Sequence, residues 1–349
     1  MKSFGLTLLL ILALGVFNIP GAIANIPISG QQPNLAIDTK GTIRMVYGEG
    51  EKIYCVTSSD NGNTFSKPVL VATLPGMHLG HSRGPQIASS ARFSMITAMD
   101  KEGNIAAYKL DHTKGGWIKA GTVNDVRGSA PEGLMALTAD HGNNFYATWL
   151  DVRLADKNNI FFSSFDAKLQ NWTKNTLVYQ SPDEHVCECC KPNIAYNGNK
   201  LVISFRNWLL GSRDIYYTVS SNKGKTFTKP LKSGNGTWKL DGCPMDGGGL
   251  SVSDNGSISA TWQRQGELFY WAEGRPEQQI GSGRAINMTQ NGITTLVIWQ
   301  EKENIQLMDL KTKTTKQIGK GNSPKVYALN KDKSLCVWEE NKSIHYLTL

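Results

Sequence analysis

A phrase recurs along this chain, and a recurring unit decides architecture before any local pattern does. It runs from a Pro or Gly into a short apolar strand, then a polar turn, then a second apolar strand ending in an aromatic or aliphatic residue. Copies begin at Pro33-Asn34-Leu35-Ala36, Pro85-Gln86-Ile87-Ala88, Pro131-Glu132-Gly133-Leu134, Pro192-Asn193-Ile194-Ala195 and Gly248-Gly249-Leu250-Ser251. Weaker copies begin at Arg284-Ala285-Ile286 and Pro324-Lys325-Val326. Successive starts lie 36–61 residues apart, a spacing that brackets a four-stranded propeller blade. Second strands follow at matching places, as in Tyr146-Ala147-Thr148-Trp149 and Leu296-Val297-Ile298-Trp299; third strands include Lys52–Val56 and Asp214–Tyr217. Alternation with β-branched and aromatic residues marks them as strands, and no helical period of similar length competes. The pattern predicts an all-β β-propeller of seven blades, with six as the alternative because the last two repeats are short. The seventh repeat shows three strands. A segment near Ile26-Pro27-Ile28 is expected to add the fourth and close the ring, which leaves no free sheet edge.

Residues 1–24 read as a signal peptide. Lys2 gives a positive start, Leu6 to Phe17 are apolar, and Ala22-Ile23-Ala24 offers a small-x-small cleavage pattern. That run is shorter than the roughly 20 residues a bilayer span needs. The expectation is export to a periplasmic or extracellular compartment, cleavage near Ala24, and one propeller domain over residues 25–349. The net charge is +8, but the lysines are scattered among turns rather than lined along one face, and the compartment is wrong for nucleic acid. No nucleic-acid partner and no membrane span are expected. A monomer that meets an acidic glycan or another anionic small ligand fits better.

Two turns carry a sharper pattern. Ser58-Ser59-Asp60-Asn61-Gly62-Asn63-Thr64-Phe65 matches S-x-D-x-G-x-T-[WF], and Ser220-Ser221-Asn222-Lys223-Gly224-Lys225-Thr226-Phe227 matches with Asn for Asp. Ser164, Asp166 and Trp172 read as a decayed third copy. Asp or Asn can bond the backbone N–H groups ahead of it, Gly takes the positive φ, and the aromatic packs beneath. These motifs resemble the Asp-box (BNR) repeat of sialidase-like propellers. The resemblance implies boxes on the turns between third and fourth strands, with a structural role, on the face opposite the ligand mouth.

Propeller topology gathers the loops leading into strand 1 and leaving strand 2 at that mouth, where function concentrates on loops held by a rigid scaffold. Arg83, Arg153, Arg206 and Arg264 fall there and are candidates to clamp a carboxylate or sulfate, since guanidinium forks bind such groups in pairs. The sialidase family uses three such arginines on its sugar carboxylate. The alternative is salt bridging between blades, for example Arg153 with Asp151. Glu132, Asp151 and Asp246 are the carboxylate candidates for glycoside hydrolysis of sialidase type. The Phe/Tyr-Arg-Ile-Pro motif of the family's first arginine is absent, so its catalytic set is not carried over. A protein–protein scaffold is a further reading.

His185-Val186-Cys187-Glu188-Cys189-Cys190 and Cys243 in Gly242-Cys243-Pro244-Met245-Asp246 lead into neighbouring blades. An exported chain with six cysteines should form disulfides. Bonding Cys189 to Cys190 would be strained, because Cα atoms across a trans peptide are about 3.8 Å apart and disulfides prefer roughly 4.4–6.8 Å. One long bond from this segment to Cys243 is expected, the rest forming a local disulfide or staying as thiols. The second reading is a copper or zinc site built from Cys187, Cys189, Cys190, Cys243, His185 and Met245, with Met77, His78 and His81 at the same mouth, since soft thiolate, thioether and imidazole ligands suit these ions. Cys55 and Cys336, inside strands of the first and last repeats, are expected as buried thiols, or less simply as a ring-closing disulfide.

Overall fold

The computed structural model describes residues 26–292 and 294–349; residues 1–24, read from the sequence as a signal peptide, lie outside them. Seven antiparallel sheets succeed one another along the chain. Blade 1 contains Gln31–Ile37, Ile43–Glu49, Lys52–Ser58 and Val69–Thr73. The innermost strands of blades 2 to 7 are Gln86–Ser89, Met135–Ala139, Asn193–Asn197, Gly249–Val252, Arg284–Asn291 and Asn322–Ala328. Blade 3 differs in having its fourth strand split into Asn171–Trp172 and Thr176–Tyr179, both paired with Lys157–Asp166. The chain is a seven-bladed β-propeller, with all seven repeat starts at or next to an innermost strand.

Ring closure follows the expected route. Ile28–Ser29 pairs with Ser343–Thr348 as the outermost strand of blade 7, and Gly30 N donates to Lys342 O. Inside the ring, Gln32 adds a second latch: its backbone N and its Nε2 both donate to Glu339 Oε1 at 2.8 Å. The first blade therefore cannot pack without ordering the last.

Strand alternation alone would bury one face per sheet, yet second strands such as Phe93–Met99 are buried throughout. Both of their faces meet a neighbouring blade. The apolar core accordingly divides into clusters that each bridge adjacent blades: Met95, Phe145 and Trp149 join blades 2 and 3, Ile258, Trp271 and Val202 join blades 4 and 5, and Ile298 with Trp338 joins blades 6 and 7. Burial of this kind contributes about 25 cal/mol per Å², so each blade is held mainly by its two neighbours. Cys55 and Cys336 sit in different clusters as buried thiols.

The Ser58–Phe65 and Ser220–Phe227 turns are built alike. Ser58 Oγ accepts from Gly62 N at 2.9 Å while Asp60 accepts from Thr64 N and Thr64 Oγ1 at 3.0 and 2.6 Å. Ser220 Oγ accepts from Gly224 N at 2.8 Å, and Asn222 Oδ1 accepts from Thr226 N at 2.9 Å. Gly224 has φ +84° and lies so close to Phe162 that a Cβ would stand 2.3 Å from its ring. Each terminal aromatic reaches back to the preceding blade, Phe65 edge-on to Tyr346 and Phe227 edge-on to Phe162.

Candidate functional site

Four long connectors, between blades 1 and 2, 2 and 3, 3 and 4, and 4 and 5, crowd one side of the mouth. Blades 5 to 6 and 6 to 7 are joined almost directly. His81 in the first connector crosses to the fourth, its Nε2 lying 3.1 Å from Met245 O. Met245 holds φ at +50° to present that carbonyl. Next to it, Gly247 has no room for a side chain: a Cβ would meet Lys191 O at 2.0 Å. The close approach brings Lys191, immediately before Pro192, into the mouth.

Two spaces adjoin this crossing. A small cavity of about 80 Å³ is lined by Gln32, Lys191, Asn193, Asp246, Asn287 and Lys325, among others. An open cleft of about 860 Å³ spreads over blades 5 to 7, with Arg284, Gln300, Lys302, Glu303 and Lys320 along it. His81, Met245, Asp246 and Ala285 border both. Ligand sites usually occupy roughly 300–1,000 Å³; the cleft falls in that range, and the cavity has room for a substituent only.

Two lysines and one carboxylate line the cavity. Burial, aided by the charge of Lys325, pushes the Lys191 ammonium down to about 7. Burial brings Lys325 to about 8, with Glu339 acting against it. Lys325 Nζ donates to Pro33 O at 2.8 Å. Asp246 is buried, its Oδ1 accepting from Gly248 N at 2.7 Å and its Oδ2 left without a partner. Burial pushes its carboxyl upward, with Arg206 opposing.

The four candidate arginines border neither space. Arg206 is 1% exposed and gives its guanidinium to the carbonyls of Asp246, Arg213 and Gln263 at 2.7–3.0 Å. Arg153 binds Asp151 at 2.8 Å and Asp125 at 2.6 Å, the salt-bridging alternative. Asp151, wholly buried, also accepts from Ser129 Oγ and Trp149 Nε1. Arg83 Nε donates to Glu132 O at 2.6 Å, and Glu132 Oε2 lies 3.6 Å from Arg83 Nη2. Arg264 pairs with Glu277 at 2.5 Å. Of the three carboxylates, Asp246 alone borders the mouth spaces.

Lys191 and Lys325 carried a usable signal in the sequence: they flank Pro192 and Pro324, the prolines that start repeats 4 and 7. Lysines read as scattered along the chain become neighbours once those starts are placed round an axis. Gln32 and Asn287 occupy comparable positions.

Behind Asp246 lies the cysteine group. Cys189 and Cys243 form a disulfide with Cα atoms 6.2 Å apart, joining the connectors into blades 4 and 5. Cys187 and Cys190 are buried thiols with sulfurs 3.0 Å apart, and Cys187 Sγ is 3.7 Å from Cys189 Sγ. The bond with Cys190, together with the Arg206 and Arg213 charges, brings Cys187 down to about 7 against its burial, while burial pushes Cys190 well up. The backbone fixes the group, since Cys187 N donates to Arg206 O.

The sulfurs of Cys187, Cys189 and Cys190 lie within 4.8 Å of one another, close enough to share a metal ion. With Cys189 bonded to Cys243, two thiols are left to ligate. His185 instead stacks on Trp208 and lies 3.3 Å from Glu188, and the Met245 side chain is exposed. A soft ion on Cys187 and Cys190 fits the donor chemistry, but the closed tetrahedral set of structural zinc is not assembled.

No family model matches the chain, and no curated protein matches its sequence. Solved structures do resemble it. A polysaccharide lyase of family PL25, an ulvan lyase bound to -[GlcA(1-4)Rha3S]-, aligns with TM-score 0.56 at 9% identity over 93% of this chain and 94% of that one. The Aleuria aurantia lectin, in complex with Fucalpha1-6GlcNAc, aligns with TM-score 0.52 at 10% identity over 84% and 96%. The NanB sialidase of Streptococcus pneumoniae gives TM-score 0.46 at 12% identity over 93% and 68%. At such identities the likeness is one of fold, and these neighbours act on or bind glycans. Among the described residues no helix is long and apolar enough to cross a membrane.

Proposed function

We infer that this chain is an exported propeller that binds an acidic glycan, with the sugar in the open cleft and its carboxylate or sulfate in the cavity beneath. The observation that carries this reading is the pair Lys191 and Lys325 lining one small cavity. Two amines that burial drives toward neutrality regain their charge when an anion enters, because an opposite charge nearby favours the ammonium form. Asp246, whose carboxyl burial pushes upward, lines the same space. The residues chosen differ from the expected arginine clamp. Guanidinium groups already bonded to carbonyls and carboxylates would have to break those bonds to serve a ligand.

The lyase of similar fold holds an acidic repeat of uronate and sulfated sugar, which accords with this class. The resemblance to sialidase-like propellers rests on the two Ser-x-Asp/Asn turns. Export rests on the residue 1–24 pattern, and the disulfide is consistent with it. The reading is one of binding, since Glu132 and Asp151 are paired away from the cleft.

Titration calorimetry with uronate-containing, sulfated and neutral oligosaccharides tests it. Acidic sugars bind and neutral ones do not; Lys325→Gln and Lys191→Gln each weaken binding roughly tenfold or more, about 1.4 kcal/mol. Arg153→Ala leaves affinity unchanged. Equal affinity for neutral sugars, or no loss in the lysine variants, would refute it.

A further inference from the structure

The cysteine group has a feature that glycan binding does not use. Its sulfurs form a path from the interior to the surface. Cys187 and Cys190 are buried, whereas Cys243 is exposed and borders the 860 Å³ cleft. Cys187 Sγ stands between two sulfurs, 3.0 Å from Cys190 and 3.7 Å from Cys189. Cys189 is the inner half of the bond to Cys243. Arg213 Nη1 donates to Cys187 Sγ at 3.1 Å and is itself held by Glu188 at 3.2 Å. A guanidinium N–H aimed at sulfur favours thiolate, the attacking species in thiol–disulfide exchange.

We propose that the four cysteines form an exchange relay, in which a disulfide passes between the exposed Cys189–Cys243 pair and the buried Cys187–Cys190 pair. Cys187, having given its proton to solvent, attacks Cys189 Sγ. The Cys187–Cys189 bond forms, the Cys189–Cys243 bond breaks, and Cys243 leaves with the electron pair and takes a proton from water. Cys190 then loses its proton and attacks Cys187 Sγ. The Cys187–Cys190 bond forms, and Cys189 leaves as the thiolate.

One disulfide and two thiols stand on each side, so this internal step needs no oxidant or reductant. Its effect is positional: the two reducing equivalents move from the interior to the rim of the cleft. The outside substrate is a disulfide, on a small molecule or on a partner protein. The Cys243 thiolate attacks it and expels one thiolate; Cys189 then attacks Cys243 and expels the other. The outer disulfide is reduced to two thiols, and Cys189 and Cys243 are oxidised.

The test uses the folded chain carrying one disulfide, prepared by titration with a thiol reductant. It is held at pH 8, labelled with N-ethylmaleimide, and mapped by peptide mass without reduction. In Cys190→Ser the relay halts after its first step, giving a Cys187–Cys189 link with label on Cys243. In Cys187→Ser it cannot start; Cys189–Cys243 persists, and Cys243 takes up label at least roughly tenfold more slowly. Wild-type protein yields the Cys187–Cys190 link with label on Cys189 and Cys243, a readout independent of whether either variant folds. The proposal is overturned if Cys189–Cys243 stays intact in wild type and in Cys190→Ser, or if native protein holds a metal on these sulfurs in place of the disulfide.

Discussion

Asp140, in the turn between the first two strands of blade 3, accepts from Asn144 N at 2.9 Å and from Tyr146 OH at 2.8 Å, and lies 3.0 Å from Lys223 of blade 4. Burial opposes its ionised form, but these bonds outweigh burial and hold the carboxyl below its ordinary range. An unfolded chain therefore takes up this proton at higher pH than the folded one. The stabilisation is complete above the ordinary carboxylate pKa of about 4 and is lost as pH falls through the lower folded value. Asp140→Asn should cost about 1–3 kcal/mol near pH 7, and the gap to wild type should narrow toward pH 3 in urea unfolding. A gap that stays constant with pH would contradict this. At Asp151 the expectation is larger, because Asp151→Ala removes at once the acceptor of Ser129 Oγ, Trp149 Nε1 and Arg153 Nε; removing one member of a buried pair costs about 3–5 kcal/mol. Of these partnerships the sequence offered only Arg153 with Asp151, as an alternative to a ligand clamp. Arg153 and Asp151 stand two residues apart on a loop, and both a ligand clamp and a local bridge satisfy that spacing. Only the positions of Asp125, 28 residues before Arg153, and Asn175, 22 residues after it, decide between them.

Strands and turns were far easier to read. The recurring phrase, opened by Pro in five repeats and by Gly248 and Arg284 in the others, marked every innermost strand, because each must begin at the axis, stop at a tight turn and carry β-branched or apolar residues between. The Ser58–Phe65 pattern located its turn because Ser, Asp, Gly and Thr each fill a separate hydrogen-bonding or φ requirement there. Gly224→Ala should be poorly tolerated: it adds a clash with Phe162 to an unfavourable φ, and a loss of about 1–3 kcal/mol is expected. A thermal melt within a degree of wild type would show that the turn can shift. The split outer strand of blade 3 was not legible, since two residues of strand at Asn171–Trp172 are too few to leave a pattern.

Closure ties the whole molecule together through very little chain. Removing residues 26–30 takes away Ile28–Ser29 and the Gly30 bond, exposing the outer edge of Ser343–Thr348. Unpaired edges recruit other chains, so this truncation should melt earlier and elute partly as larger species in size-exclusion chromatography. A second tie, the Cys189–Cys243 bond, closes a loop of 54 residues; a chain-entropy estimate gives about 4 kcal/mol. Reduction of the wild type should lower its melting temperature, whereas Cys189→Ser/Cys243→Ser carrying free thiols at Cys187 and Cys190 should start from the lower value. The bridge from His81 to Met245 has one last bearing on the mouth. It joins the first connector to the fourth, and both mouth spaces border it. On the proposed reading, His81→Ala would loosen the partition between cleft and cavity and change which sugars bind, while leaving the blades intact.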